Sequence, residues 1–242
     1  MALPSDVLVA HQPAYLPWSG FFSRLLDRAE ILVLLDHVQY SERGWQNRNL
    51  VRNTSSGDPV RLTVPVRHRF GQRLREVEIA SEEPWARRHW RTLQQTYARA
   101  PFWSAYAAGL EQIYQQPWNH LTALNEALIR FLLDALGLPI RLVHSSDLAP
   151  SGRRTAMLVD LCQLTGARVL RVGTGAGEYL DLALLDEHDI TVETASFTHP
   201  RYGHGPSWAP GLSVVDLLMH EGPQAPAFLR AGARTDTKVA TS

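Results

Sequence analysis

The sequence predicts an α/β fold: one parallel sheet of about five strands, carrying a β-hairpin and a helical insertion. Three observations predict it. Short apolar runs recur at residues 7–10, 31–35, 140–143, 168–172 and 190–194, and helical stripes lie between most of them. The first strand, helix and strand fit within forty residues, the opening of a parallel α/β unit. In the middle, the turn formers Asn53-Thr54-Ser55-Ser56-Gly57-Asp58-Pro59 separate a pair of strand-like stretches, as a hairpin does.

The elements follow in order. Residues 7–10 read as a buried strand closed by His11-Gln12-Pro13. Trp18, Phe21, Phe22, Leu25 and Leu26 mark a helical face over 18–28. Residues 31–35 form the second strand, closed by Asp36. The hairpin joins 47–52 to 60–66, and 74–79 alternates as a further strand. Three helices follow: 84–98, with Glu82 and Glu83 near its positive end, one opened by Pro101, and 119–136, stopped by Gly137. The α/β rhythm then resumes with strands at 140–143, 168–172 and 190–194 and helices at 155–164 and 180–187. A last helix spans 212–219, with Ser213 and Asp216 spaced for capping. The expected organisation is a single Rossmann-like α/β domain over 1–223, of which 67–137 is mainly helical insertion. Residues 224–242, rich in Ala, Pro and Gly and then polar, are expected to be a flexible tail.

Composition narrows the function. The 242 residues are 45% hydrophobic, enough for a core, and 24 Lys+Arg balance 24 Asp+Glu. That neutrality argues against bulk nucleic-acid binding or an anionic membrane surface, and no apolar run approaches a membrane span. A single cysteine excludes an internal disulfide framework and a Cys-based zinc site. The start shows no basic segment followed by an apolar one, so the cytoplasm is the expected location. Cys162 lies on the stripe of Leu158 and Leu161 and reads as a small buried hydrophobe.

Ligands of open α/β sheets bind beyond the carboxyl ends of the strands. Four polar clusters stand there: residues 11–18, residues 36–40 with 45–49, residues 173–179, and residues 199–204. His11-Gln12-Pro-x-Tyr15-Leu16-Pro17-Trp18-x-Gly20, Asp36-x-Val38-Gln39-Tyr40 and Trp45-Gln46-Asn47-Arg48-Asn49 resemble the signature blocks of the WbqC-like family. Gly175-x-Gly177-x-Tyr179-Leu180-Asp181, His199-Pro200-x-Tyr202 and residues 212–218 are similar too, with His204 and Trp208 departing from the family's usual residues. The resemblance implies a place in surface-polysaccharide or specialised-metabolite biosynthesis, without fixing one reaction.

Residue chemistry gives the expected roles. His11 suits proton transfer, Asp36 could orient His11 or His37 or accept a proton from a substrate amine, and His199 is a further acid/base candidate. Arg48, with Gln46, is expected to hold a carboxylate or phosphate, both on one face if a strand begins there. Gln12, Tyr15, Gln39, Trp45, Asn47, Tyr179, Tyr202 and His204 are expected to contact substrate. Thr174, Gly175 and Gly177 resemble an anion cradle, although the loop is neither a P-loop nor a dinucleotide fingerprint. Residues 151–155 are a weaker anion candidate. No His-x-x-His pattern points to a metal, and no cofactor is expected. The function expected is acyl or aminoacyl transfer from an activated donor to a small amine, by direct attack, because no nucleophile-elbow serine is present. A hydrolase, lyase or cyclase on a single substrate, and a non-catalytic binding subunit, are the alternatives.

Overall fold

The computed structural model describes residues 7–53, 58–176, 179–203 and 208–238. Its centre is a six-stranded, mostly parallel sheet formed by β1 (Val7–His11), β2 (Ala29–Leu34), β7 (Arg141–His144), β8 (Val169–Gly173), β9 (Thr191–Phe197) and β10 (Ala233–Lys238). The spatial order is β10-β9-β8-β1-β2-β7, and only β10 runs antiparallel to its neighbour. The five parallel strands are those expected from the apolar runs.

Both faces of the sheet are covered, which is why those runs are apolar at successive positions. Val7, Val9, Leu32 and Leu34 enter one core, whereas Leu8, Ile31, Val33, Leu170 and Val192 enter the other. The second core is roofed by α6 (Thr155–Thr165) and α7 (Leu182–Glu187), and Cys162 is buried in it as a small hydrophobe. Burial pushes the Cys162 thiol up to about 12, so it stays uncharged.

The first core lies under α1 (Ser19–Ser23) and the insertion. The hairpin strands β3 (Arg48–Val51) and β4 (Val60–Thr63) pair antiparallel, as expected. Residues 74–79 do not form the expected strand. Leu74 and Val77, three apart and both buried, close a 3-10 turn, leaving a two-residue β6 (Glu78–Ile79) to pair with β5 (Val66–Arg67). Helices α2 (Trp85–Tyr97), α3 (Trp103–Gln115) and α4 (Leu121–Ala135) follow. α2 buries Trp85, His89, Leu93 and Tyr97 at four-residue spacing, and Trp90 stacks on Trp103 at 5.4 Å.

Two features were not foreseen: α5 (Ser145–Leu148) after β7, and the structure at the end of the chain. The expected tail instead holds α9 (Ala225–Gly232) and β10, after α8 (Val214–Glu221). Pro226 falls within the first turn of α9, where a missing N–H costs nothing. α1 is also shorter than the expected 18–28, ending at Ser23. Among the described residues no helix is long and apolar enough to cross a membrane.

Candidate active site

The turn after β1 is the frame of the site. Leu16 sits at φ +41°, the left-handed region that a leucine rarely adopts, and is fully buried. Asn49 on β3 holds that turn, its amide donating to the carbonyls of Tyr15 (3.2 Å) and Leu16 (2.7 Å). The Val214 N–H, at the start of α8, donates to the Pro17 carbonyl. The chain so fixed places Trp18 over the carboxyl ends of β1, β8 and β9. Gly20 makes room for the indole, since a Cβ there would come 2.7 Å from Trp18 Nε1.

Trp18 separates two linked hollows. One, about 150 Å³, is lined by Trp18, Ser23, Arg24, Thr174, Ser196 and His199, among others. The other, about 230 Å³, is lined by Trp18, Trp45, Asn49, His199 and Gly211. The clusters after β1, β8 and β9 thus meet at one cleft, with Trp45 added from the hairpin approach.

Two histidines, His199 lining both hollows and His11 packed against Trp18, are in complementary states. Nδ1 of His11 lies 2.7 Å from the Gln12 carbonyl, which can only accept, so this nitrogen carries the proton. The neutral ring keeps its lone pair on Nε2. Burial, then the charge of Arg24, lowers the His11 pKa to about 4. The ring packs edge-on against Trp18 at 5.6 Å and Phe21 at 4.9 Å. At His199 the order is reversed: Nδ1 accepts from the Gly211 N–H at 3.4 Å, so the neutral ring carries its proton on Nε2. Burial lowers its pKa as well.

Sequence reasoning missed Arg24. Its guanidinium lies 5.8 Å over the Trp18 ring, and a Cβ on Gly173 would come 2.7 Å from Nη2. The helical stripe explained its neighbours and left it as a surface arginine. What marked it was the glycine after β8, which the sequence offered only as a piece of a phosphate-like loop.

Several expected roles are not the ones the structure provides. Asp36 does not pair with His11. It accepts from Ser145 Oγ (2.9 Å), Ser146 N (2.9 Å) and Ser146 Oγ (2.6 Å) at the start of α5. Burial alone would raise its carboxyl, but these bonds hold it below the ordinary value. Arg48 turns away from the cleft, its Nε donating to Asn47 Oδ1 and its Nη2 to the Glu42 carbonyl. Gln46 donates to Gln12 Oε1, and Asn47 to the Val64 carbonyl at 2.9 Å. Gln46, Asn47 and Asn49 are all buried: Gln46 and Asn49 stitch the hairpin to the first turn, and Asn47 ties the hairpin's two arms together. Gln39 lies in a separate groove of about 440 Å³ beneath Phe70, which is 98% exposed. Tyr179 is exposed, and Gly175, in a 3-10 turn at 174–176, faces open space. Gly177 and His204 lie outside the described residues. Of the weaker anion candidate, Ser151 bonds Asp160 and Thr155 accepts from the Asp181 N–H.

Tyr15 is fully buried, its hydroxyl 2.8 Å from His89 Nδ1 and bonded also to the Tyr114 hydroxyl. It is scaffold rather than substrate contact. Tyr15→Phe is therefore expected to cost about 1–3 kcal/mol, by leaving buried polar partners unmade, with the cleft at Trp18 unaffected. Urea unfolding measures it, and an unchanged midpoint would contradict this assignment.

Tyr202 belongs to a second buried group. Asp216 is 0% exposed and, instead of capping α8, takes Arg52 in a two-pronged pair, both bonds 2.9 Å. Tyr97 donates to it at 2.9 Å, and Tyr202 bonds it too. Burial and then the Asp216 charge push both phenols far above their ordinary value. The helix cap comes from Ser213, whose Oγ accepts from the Val215 N–H.

The histidines also set a pH dependence. His89, mainly by burial and then by Arg88, is lowered to about 4 like His11. Unfolded, both protonate near 6.5. Between pH 4 and 6.5 the unfolded chain therefore binds more protons than the folded one, and stability rises with pH across that window. Denaturation midpoints at pH 4.5, 5.5 and 6.5 are expected to climb in that order; a flat series would refute it.

Comparison with known proteins agrees with the signature blocks. The family model of the WbqC-like protein family matches residues 12–228. Uncharacterized protein Rv1507c of Mycobacterium tuberculosis (strain ATCC 25618 / H37Rv) is 32% identical over 223 residues, covering 90% of this chain and 95% of that protein. No solved structure matches. With the framing turn, the hairpin amides and the β8 and β9 loops all inside the matched span, the chain belongs to the WbqC-like protein family.

Proposed function

We propose that the protein is a small-molecule enzyme of surface-glycan or specialised-metabolite biosynthesis, transferring an acyl or aminoacyl group from an activated donor to an amine. One observation carries the reading: His199 lines both hollows and His11 packs edge-on against the Trp18 they share, each ring bonded through Nδ1, so that Nε2 is bare on His11 and protonated on His199. The amine nitrogen attacks the donor carbonyl carbon, and its proton passes to His11 Nε2. As the bond to the leaving group breaks, that group departs with the electron pair and accepts a hydrogen bond from His199 Nε2–H, which keeps its proton. His11 then releases the gained proton to solvent.

In this reading the backbone N–H groups of the 174–176 turn stabilise the negative charge that develops on the carbonyl oxygen. The sheet is read as Rossmann-like, with its site at the carboxyl edge, as that architecture favours. Arg48 and Asp36, engaged elsewhere, have no role in this scheme.

The test is product analysis by mass spectrometry with activated acyl donors, with and without a panel of amino sugars and amino acids. Amide formation that depends on the amine is expected. Donor hydrolysis unaffected by any amine would overturn transfer in favour of a hydrolase.

A further inference from the structure

We propose that the pocket at Arg24 is a subsite for a single carboxylate on the substrate. The inference deepens the reading above by naming a substrate class, and rests on it only for calling the ligand a substrate.

The argument begins with the neighbouring arginines. Arg28 and Arg171 both reach Glu193, at 2.6 Å and 2.8 Å, and Arg171 donates further to the carbonyls of Arg24 and Leu26. Those two guanidiniums are matched by a carboxylate that the protein supplies. Arg24 has no carboxylate and no hydrogen-bond acceptor among the described residues; its guanidinium is held by packing, between the Trp18 face and the Cα of Gly173. Burial lowers its pKa, yet an arginine remains charged. A half-buried cation with no anion among the described residues is costly, and a protein retains one where a ligand supplies the counter-charge.

The hollow selects the anion. It is about 150 Å³ and is lined by Arg24 with the hydroxyl residues Thr174 and Ser196, the Ser23 hydroxyl being given to the Gly20 carbonyl. A planar fork with neutral donors beside it fits a carboxylate taken by two parallel bonds. A diphosphate would set several negative charges against one cation, since His11 is neutral at pH 7. The glycine at 173 belongs to the same device: a methyl group there would occupy the space of Nη2.

The experiment is an NMR titration of the full chain at pH 7 with acetate, inorganic phosphate and pyrophosphate in turn. Acetate is expected to give saturable shifts of the Thr174 and Ser196 amides and of the Arg24 Nε–H. Arg24→Gln is expected to weaken acetate roughly ten- to a hundredfold, as loss of a charge-assisted bond does. Arg24→Lys, keeping charge without the fork, and Gly173→Ala, keeping the arginine but displacing it, are expected to fall between. Thermal midpoints of the variants report whether each remains folded.

Acetate shifts that survive in folded Arg24→Gln would overturn the proposal. So would pyrophosphate or phosphate binding more tightly than acetate, or no saturable shift with any anion. Binding is independent of turnover, so the two readings fail separately. Arg24-dependent acetate binding in a protein that acylates no amine would leave the subsite standing and remove the transfer chemistry.

Discussion

Replacing His11 by alanine is expected to lower amine acylation roughly 10²–10⁴-fold, the usual contribution of a positioned general base. The thermal midpoint is expected to move by only about 2–4 °C, the equivalent of ~1 kcal/mol in a chain of this size. The contrast follows from the local geometry. What the ring gives the fold is an edge-on contact with Trp18 and Phe21 and one bond to a neighbouring carbonyl. What it gives the proposed reaction is the lone pair on Nε2 beside Trp18, whereas His199, which lines both hollows, carries a proton on that atom. His11→Asn separates the two, because its amide can still donate to the Gln12 carbonyl but carries no basic nitrogen. Asparagine is therefore expected to be as inactive as alanine while folding better. Steady-state rates with thermal melts decide it, and a fully active variant at this position would sink the assignment.

The largest expected effect on stability is at Asp216, which lines neither hollow of the cleft. Asp216→Ala leaves Arg52, itself almost wholly buried, as an uncompensated charge, and strips the phenols of Tyr97 and Tyr202 of their acceptor. Breaking a buried pair in this way costs about 3–5 kcal/mol. In a chain of this length that is a fall in thermal midpoint of roughly 6–20 °C. Asp216→Asn keeps the shape and one acceptor oxygen and is expected to lose less. Calorimetry and urea unfolding measure both variants. A loss below about 1 kcal/mol in the alanine variant would mean that the network does not hold the hairpin to α8.

The sheet was legible because parallel strands buried on both faces leave uninterrupted apolar runs, which few other elements do at lengths of four to seven residues. The hairpin was legible from its turn formers. β10 was not, since Arg234, Thr235, Asp236 and Thr237 carry no hydrophobic signal. Its pairing to β9 is made by backbone groups that every sequence possesses. α9 was hidden by a proline and two glycine-flanked ends that read as breakers, although a proline in the first turn is harmless.

At the site, the placement of polar clusters at one sheet edge was visible, because strand direction follows from chain order. The roles within those clusters were not. Gln46, Asn47 and Asn49 have the side chains of a recognition loop, and only three-dimensional contacts reveal that Asn47 and Asn49 bind main chain and that Gln46 binds Gln12. Arg24 shows the opposite case. Nothing in its sequence surroundings separates an arginine that meets a glutamate from one that meets a tryptophan and a glycine.

The pairing of β10 with β9 bears on how the sheet avoids edge-to-edge association. Without β10, the outer row of β9 N–H and C=O groups would be open for its full seven residues, a template for pairing with another molecule's strand. β10 covers that row and presents in its place a short edge bearing Arg234 and Asp236, charges that discourage pairing of edge on edge. The opposite edge, β7, is only four residues long and runs directly into α5. Resistance to edge-to-edge aggregation therefore depends on the last described segment of the chain folding back, and a nascent chain that has not yet added residues 233–238 would be the aggregation-prone form.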